Sequence, residues 1–206
     1  RMRNMTIEEL YEKLSSKEFQ DTEHGDIFYN FYLFQYNAEE EYSIRRQIEQ
    51  FRVNLARPTN YLDVLKLNLF DEFCRFLDGL SFGKLDDSQL HYFLTKDNAG
   101  QHDAVLKSLT AKANSRQFYE YINRRIMEHV NAESTGKKPY VFLYGIGSMF
   151  PFLRTSVFLS GYEEFNETSK YKIIVFYPGE SDGNSFSLFG KINDRHTYRA
   201  ILLIND

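Results

Sequence analysis

The amino-acid sequence predicts an α/β fold of three layers, with a mostly parallel sheet sandwiched between helices. Three observations carry this. The last third alternates apolar strands with helices: YVFLYG over 140–145, a helix from Ser148 to about Leu159, YKIIVFY over 171–177 and YRAILLI over 198–204. Strands that are apolar on both faces and separated by helices belong to parallel βαβ units, whose helices cover the sheet. An earlier strand of the same character, IFYNFYLFQY over 27–36, runs directly into a helix. Finally, 206 residues, 42% hydrophobic and 26% charged, have ordinary globular composition and can bury a sizeable core.

The elements follow in order. Thr6 to Leu14 reads as a short helix with Thr6 as N-cap and Glu9 three residues later, a capping box. The polar turn 21–26 leads into the strand 27–36, rich in aromatic residues that favour a pleated surface. Asn37 is the expected cap of a helix over 38–57, whose apolar stripe Ile44, Ile48, Phe51 and Leu55 has helical spacing and which ends before Pro58. YLDVLKLNL over 61–69 alternates in its second half and reads as a strand, followed by a helix over 70–80. Asp86 or Asp87 is placed to cap a helix reaching Leu94, and 101–130 reads as helical, with Val105, Leu109, Phe118, Ile122 and Ile126 on its buried face. The turn cluster NAESTGKK over 131–138 separates this helical middle, 81–136, from the last third. We expect one domain over residues 1–206, with the helical middle inside it.

Composition excludes several functions. With 25 basic and 29 acidic side chains the net charge is −4, so no global positive field draws in a phosphate backbone, and direct nucleic-acid binding is not expected. One cysteine, Cys74, allows no internal disulfide and fits a reducing compartment. The N-terminal stretch lacks the apolar core of a signal peptide, which makes the expected location cytoplasmic. The uncharged run 139–153 holds two glycines and Pro151 and is shorter than the roughly 20 apolar residues of a membrane span, so no membrane partner is expected.

Catalytic signatures are missing where they would be looked for. The turn after the first strand, Gln35-Tyr36-Asn37-Ala38, has neither the glycines that let amides wrap a phosphate nor the lysine that reaches it. Asp71 and Glu72 end an apolar strand as magnesium-holding acids do, but without a phosphate loop they read as first-turn acids complementing a helix dipole. His24, His91, His102, His129 and His196 are scattered and form no metal spacing. Cys74 lies on an apolar helix face and reads as a small buried hydrophobe. No cofactor and no metal are expected.

What remains is a segment without a catalytic signature. In Gly145-Ile-Gly147-Ser148-Met-Phe-Pro151, two glycines end a strand and Ser148 is placed to cap the next helix, whose free amides could take an anion. The third glycine of a dinucleotide fingerprint is absent, and the segment is not the Gly-x-Ser-x-Gly of a nucleophile elbow, so a plain strand-to-helix turn stands beside the ligand-site reading. Arg154, the sole charge between Lys138 and Glu163, needs a partner if its head is buried. Carboxyl ends of parallel strands share one edge of the sheet, which brings Pro178, Gly179 and Asp182 towards the same turn. Gly145, Gly147, Ser148, Arg154, Pro178, Gly179 and Asp182 are therefore the candidate ligand- or partner-binding residues.

The run PYVFLYGIGSMFPFLRTSVFLSGYE over 139–163, followed by YKIIVFYPGE, SFSLFGKINDRHTYRA and ILLI, resembles the BrxB family of bacterial BREX phage-exclusion systems. The earlier pieces FYLFQYNAEEEYSIRRQIEQF and YLDVLKLNLFDEF are similar to it as well. The resemblance implies a cytoplasmic protein working beside a PglZ-like phosphatase-fold protein, a BrxC-like ATPase and a methyltransferase. It also implies a P-loop-NTPase-like fold that has lost its nucleotide machinery. Two functions follow: a non-enzymatic adaptor bridging the PglZ-like and BrxC-like proteins, or a nucleotide- or anion-responsive module built on the Gly145–Ser148 helix start.

Overall fold

The computed structural model describes residues 3–20, 31–82, 85–132, 137–179 and 200–205. In chain order these form β1 (Arg3–Asn4), α1 (Ile7–Ser15), α2 (Lys17–Gln20), β2 (Phe31–Asn37), α3 (Glu41–Leu55), β3 (Val64–Asn68), α4 (Leu69–Asp78), β4 (Ser81–Phe82), β5 (Leu85–Ser88), α5 (Gln89–Asn98), α6 (His102–Ala113), α7 (Arg116–Ala132), β6 (Tyr140–Tyr144), α8 (Thr155–Tyr162), β7 (Lys172–Gly179), β8 (Ala200–Leu202) and β9 (Ile204–Asn205).

Five strands make an all-parallel sheet in the order β3-β6-β7-β2-β8. Period-two alternation sends successive residues to opposite faces. Phe31, Leu33, Leu67, Val141, Leu143, Ile173 and Val175 enter one core with α4 to α8, and Tyr32, Phe34, Tyr36, Val64, Tyr140, Phe142, Ile174 and Phe176 enter the other with α1 to α3. The three-layer expectation holds. Its topology has a simple cause: from β2 the chain steps outward to β3, then returns through β6 and β7 and passes β2 to reach β8. A reversal of direction with crossovers of one hand puts α3 and the later helices on opposite faces.

Thr6 caps α1 as expected, with its hydroxyl accepting from the Glu9 N–H and Glu9 Oε2 accepting from the Thr6 N–H at 2.7 Å. Ile44, Ile48, Phe51 and Leu55 are all buried on α3. Other boundaries differ for local reasons. Asn37 stays in β2, opposite Gly179, and a 3-10 turn over Ala38–Glu40 precedes α3, so Asn37 makes no side-chain cap. Strand β5 extends through Asp86 and Asp87, which moves the cap of α5 to Ser88, whose Oγ accepts from the His91 N–H at 3.1 Å. The helical stretch 101–130 is two helices broken at Asn114 and Ser115, where Ser115 Oγ accepts from the Phe118 N–H and Asn114 donates to the Phe152 carbonyl. Leu109 on α6 is half-buried. Residues 198 and 199 of the strand expected over 198–204 lie outside the described residues; the rest, from Ala200, breaks at buried Leu203, beyond which β9 pairs antiparallel with β1.

The expected helix from Ser148 is absent. Ile146–Met149 is a 3-10 turn, Phe150 is extended, and α8 begins only at Thr155. A residue before proline is disfavoured in the α region, and Phe150 precedes Pro151. No helix among the described residues is long and apolar enough to cross a membrane.

Candidate functional site

Because the strands of the main sheet are parallel, Asn37, Asn68, Tyr144 and Gly179 line up along its carboxyl edge. The neighbours β2 and β7 lead on to strands on opposite sides of the pair, β3 and β8, and such a switch point is where α/β sheets open a crevice. Here the edge is packed with side chains. Gly145 follows β6 at φ +70, and a Cβ there would overlap the Asn68 Oδ1 that accepts from the Asp71 N–H at 3.2 Å to cap α4. A Cβ on Gly147 would lie 2.9 Å from Pro178 Cγ, and one on Gly179 would lie 2.7 Å from Gln35 Nε2.

The edge therefore brings Gly145, Gly147, Pro178 and Gly179 together, as the parallel-strand argument anticipates. Their common property is the missing Cβ at three of the four positions, which lets strand ends close on one another. Ser148 is exposed beside them and caps nothing; its N–H donates to Gly145 O and the Phe150 N–H to Gly147 O. Two of the amides assumed for an anion site, those of Ser148 and Phe150, are thus engaged within the turn, and the helix start on which that reading stood is not there. Arg154 is exposed at the N-cap position of α8, not two turns inside a helix, and makes no ion pair among the described residues. Asp182 lies outside the described residues.

Replacing Gly145 with alanine tests how tightly the edge is set. A non-glycine residue in the left-handed region is disfavoured by about 1–2 kcal/mol, and the Asn68 side chain must also leave its capping position. A thermal midpoint lowered by about 4 °C is the expected outcome, and an unchanged midpoint refutes the packing described.

Sequence reasoning missed the cluster beside the end of β2. The Tyr36 hydroxyl donates to Glu41, Arg45 Nε donates to Glu41 Oε1 at 2.8 Å, and the Arg45 guanidinium stands 5.7 Å from the Tyr144 ring centroid. Burial first, and then the Glu41 carboxylate, push the Tyr36 hydroxyl well above its ordinary range. An acid held by an arginine and a tyrosine occupies the place next to the first strand of the sheet. The i,i+4 spacing of Glu41 and Arg45 was the legible signal.

Glu72 also departs from expectation. It is 3% exposed, and its oxygens accept from Arg125 Nε at 3.1 Å, Arg125 Nη2 at 3.3 Å, Tyr121 Oη at 3.0 Å and Arg75 Nη1 at 3.2 Å. Burial and the Glu72 carboxylate push the Tyr121 hydroxyl up to about 12. Asp71 alone is the exposed first-turn acid. Cys74 is half-buried rather than buried, and burial with the nearby Asp71 raises its thiol pKa. His91 meets Asp87 at 2.7 Å, His102 meets Asp97 at 2.6 Å and His129 meets Asp63. No cluster of three or more His, Cys, Asp or Glu side chains suited to a metal occurs among the described residues.

Comparison with known proteins converges on one family. A family profile described as "BREX protein BrxB" matches residues 77–203, more than half of the chain. A BREX protein BrxB of Bacillus cereus (strain H3081.97) is 25% identical over 204 residues, covering 98% of this chain and 97% of that protein. No solved structure matches.

Proposed function

The chain belongs to the BrxB family of BREX proteins, and from that premise we propose that it serves phage defence as a non-enzymatic adaptor bridging a PglZ-like protein and a BrxC-like ATPase. The observation that carries this reading is the packed carboxyl edge. Where an α/β enzyme of this topology opens a crevice, Glu41 is held by Tyr36 and Arg45, and Gly145, Gly147 and Gly179 close on Asn68, Pro178 and Gln35. Large apolar side chains stand in solvent instead: Tyr42 is 75%, Phe150 66% and Tyr61 59% exposed. Exposed aromatics of this kind are the residues that anchor protein interfaces.

The strand order supports a second part of the proposal. Numbered along the chain, the parallel strands run 5-1-4-3-2 from the β8 side, with the first strand interior and followed by a helix on one face. This suits a P-loop-NTPase-like fold whose phosphate loop has been replaced by Gln35-Tyr36-Asn37-Ala38. The cytoplasm is the compartment in which such a component would meet its partners.

Co-purification tests the adaptor. The tagged full chain, co-expressed with the PglZ-like and BrxC-like proteins, is expected to retain at least one of them. Retention of neither ends the reading.

A further inference from the structure

We infer that the outward crest of α3 is a docking surface for an acidic amphipathic helix of the partner. The inference rests on the adaptor reading and names the face that performs it. At 100° per residue, the buried stripe Ile44, Ile48, Phe51 and Leu55 leaves Tyr42, Arg46, Gln50 and Val53 on the opposite side, and exposed Arg57 follows in the bend just past the end of α3. Tyr42 and Val53 are both exposed apolar side chains, and the Arg46 guanidinium stands 5.0 Å from the Tyr42 ring centroid.

Charge complementarity selects the occupant. The acids within α3 sit on one flank and are neutralised there: Glu41 by Arg45, and Glu49 by Arg52 at 2.6 Å and by Lys66. Arg46 and Arg57 are exposed and make no ion pair among the described residues. Within α3 the crest therefore carries Arg46 as an uncompensated cation beside Tyr and Val, with Arg57 a second one just past the helix end, while the exposed acids Glu39 and Glu40 lie in the turn before the helix, in a chain whose net charge is −4. With a screening length of about 8 Å at physiological ionic strength, a docking partner feels this local sign rather than the net charge.

Geometry selects the shape. The helical part of the stripe, from Tyr42 to Val53, runs for about 16 Å at 1.5 Å per residue, the length of three turns of a partner helix. Along its other flank, α1 and α3 border an open groove of about 280 Å³ lined by Ile7, Tyr11, Gln50 and Phe51. Glu8 and Glu12 also line it, so a partner's carboxylates face the arginines while its apolar side chains enter the groove. Beyond the helix, Tyr61 adopts φ +47 with its ring exposed. A bulky residue in the left-handed region is strained, and strain at an exposed side chain that adds nothing to the core points to use at a surface.

The test uses the full chain and the co-purification above. Arg46→Glu/Arg57→Glu is compared with Lys107→Glu/Arg124→Glu, which makes the same charge change on exposed positions of α6 and α7, across the sheet. All variants are checked for an unaltered thermal midpoint. Partner retention is expected to fall about ten-fold or more in the crest variant and in Tyr42→Ala, and to stay near wild type in the control. Equal retention by wild type and crest variant overturns the inference, as does equal loss in crest variant and control. Single-stranded DNA bound by wild type and lost with the crest arginines, while partner retention is unchanged, overturns it in favour of a nucleic-acid surface. Failure of wild type to retain either partner instead overturns the adaptor reading and the inference with it.

Discussion

Phe118→Ala is expected to lower the unfolding free energy by about 3–5 kcal/mol, the cost of truncating a buried aromatic in a site that cannot collapse. Phe118 is fully buried, with ring centroids of Phe73 at 5.2 Å, Phe76 at 5.3 Å, Tyr121 at 6.4 Å and Phe158 at 6.4 Å. It therefore joins α4, α7 and α8, and its neighbours are held by the sheet behind them. For a chain of this size the midpoint should fall by about 6–20 °C. A melt followed by circular dichroism and by calorimetry measures the loss; a shift below about 2 °C would show that the aromatic hub is not continuous. The same melt bears on domain organisation. The buried cluster containing Phe118 runs unbroken from Phe93 and Val105 in the helical middle to Val141 and Ile173 in the sheet, and we infer one domain unfolding in one step. Two resolved transitions, only one of them moved by the substitution, would separate the helical middle from the sheet.

Much of this architecture is legible in the sequence because it depends on short-range periodicity. Phe31 to Tyr36 is apolar at nearly every position, and so short a run, rich in aromatic residues, fits an interior strand buried on both faces, as in a parallel sheet. The α3 stripe and the Thr6–Glu9 box are equally local. The errors arise where two local signals compete. Ser148 followed by Pro151 looks like a helix start, yet the restriction that Pro151 places on Phe150 defeats it. Ser88 lost to Asp86 and Asp87 as a cap because a two-stranded ribbon extends the chain through both acids.

The candidate site shows the same division. That Gly145, Gly147, Pro178 and Gly179 share an edge follows from strand direction alone. That they close against Asn68, Gln35 and one another requires register, which the sequence does not express. Nor could a local reading find Glu72 and Arg125, which are 53 positions apart.

Arg125→Met is expected to cost about 2–4 kcal/mol, less than the full penalty for orphaning a buried charge because Tyr121 and Arg75 still reach the carboxylate. Glu72 lies on α4 at 3% exposure, and the two nitrogens of Arg125 that it accepts from come from α7. Removing the guanidinium leaves a carboxylate that neither water nor its remaining donors satisfy fully. Replacing both members, Glu72→Gln with Arg125→Met, removes the charge that needed compensation, so the double variant should be more stable than the sum of the single losses predicts. A coupling of about 1 kcal/mol or more in a double-mutant cycle is the expected result; additive losses would mean that solvent already shields the pair. The consequence reaches the carboxyl edge. Helix α4 starts at the Asn68 cap, and Asn68 is the group against which Gly145 packs. Loosening α4 at Glu72 should therefore also loosen the turn after β6. Amide exchange in Arg125→Met should rise at Gly145 to Met149 as well as in α4, whereas a cluster that merely ties two helices together would leave that turn unchanged.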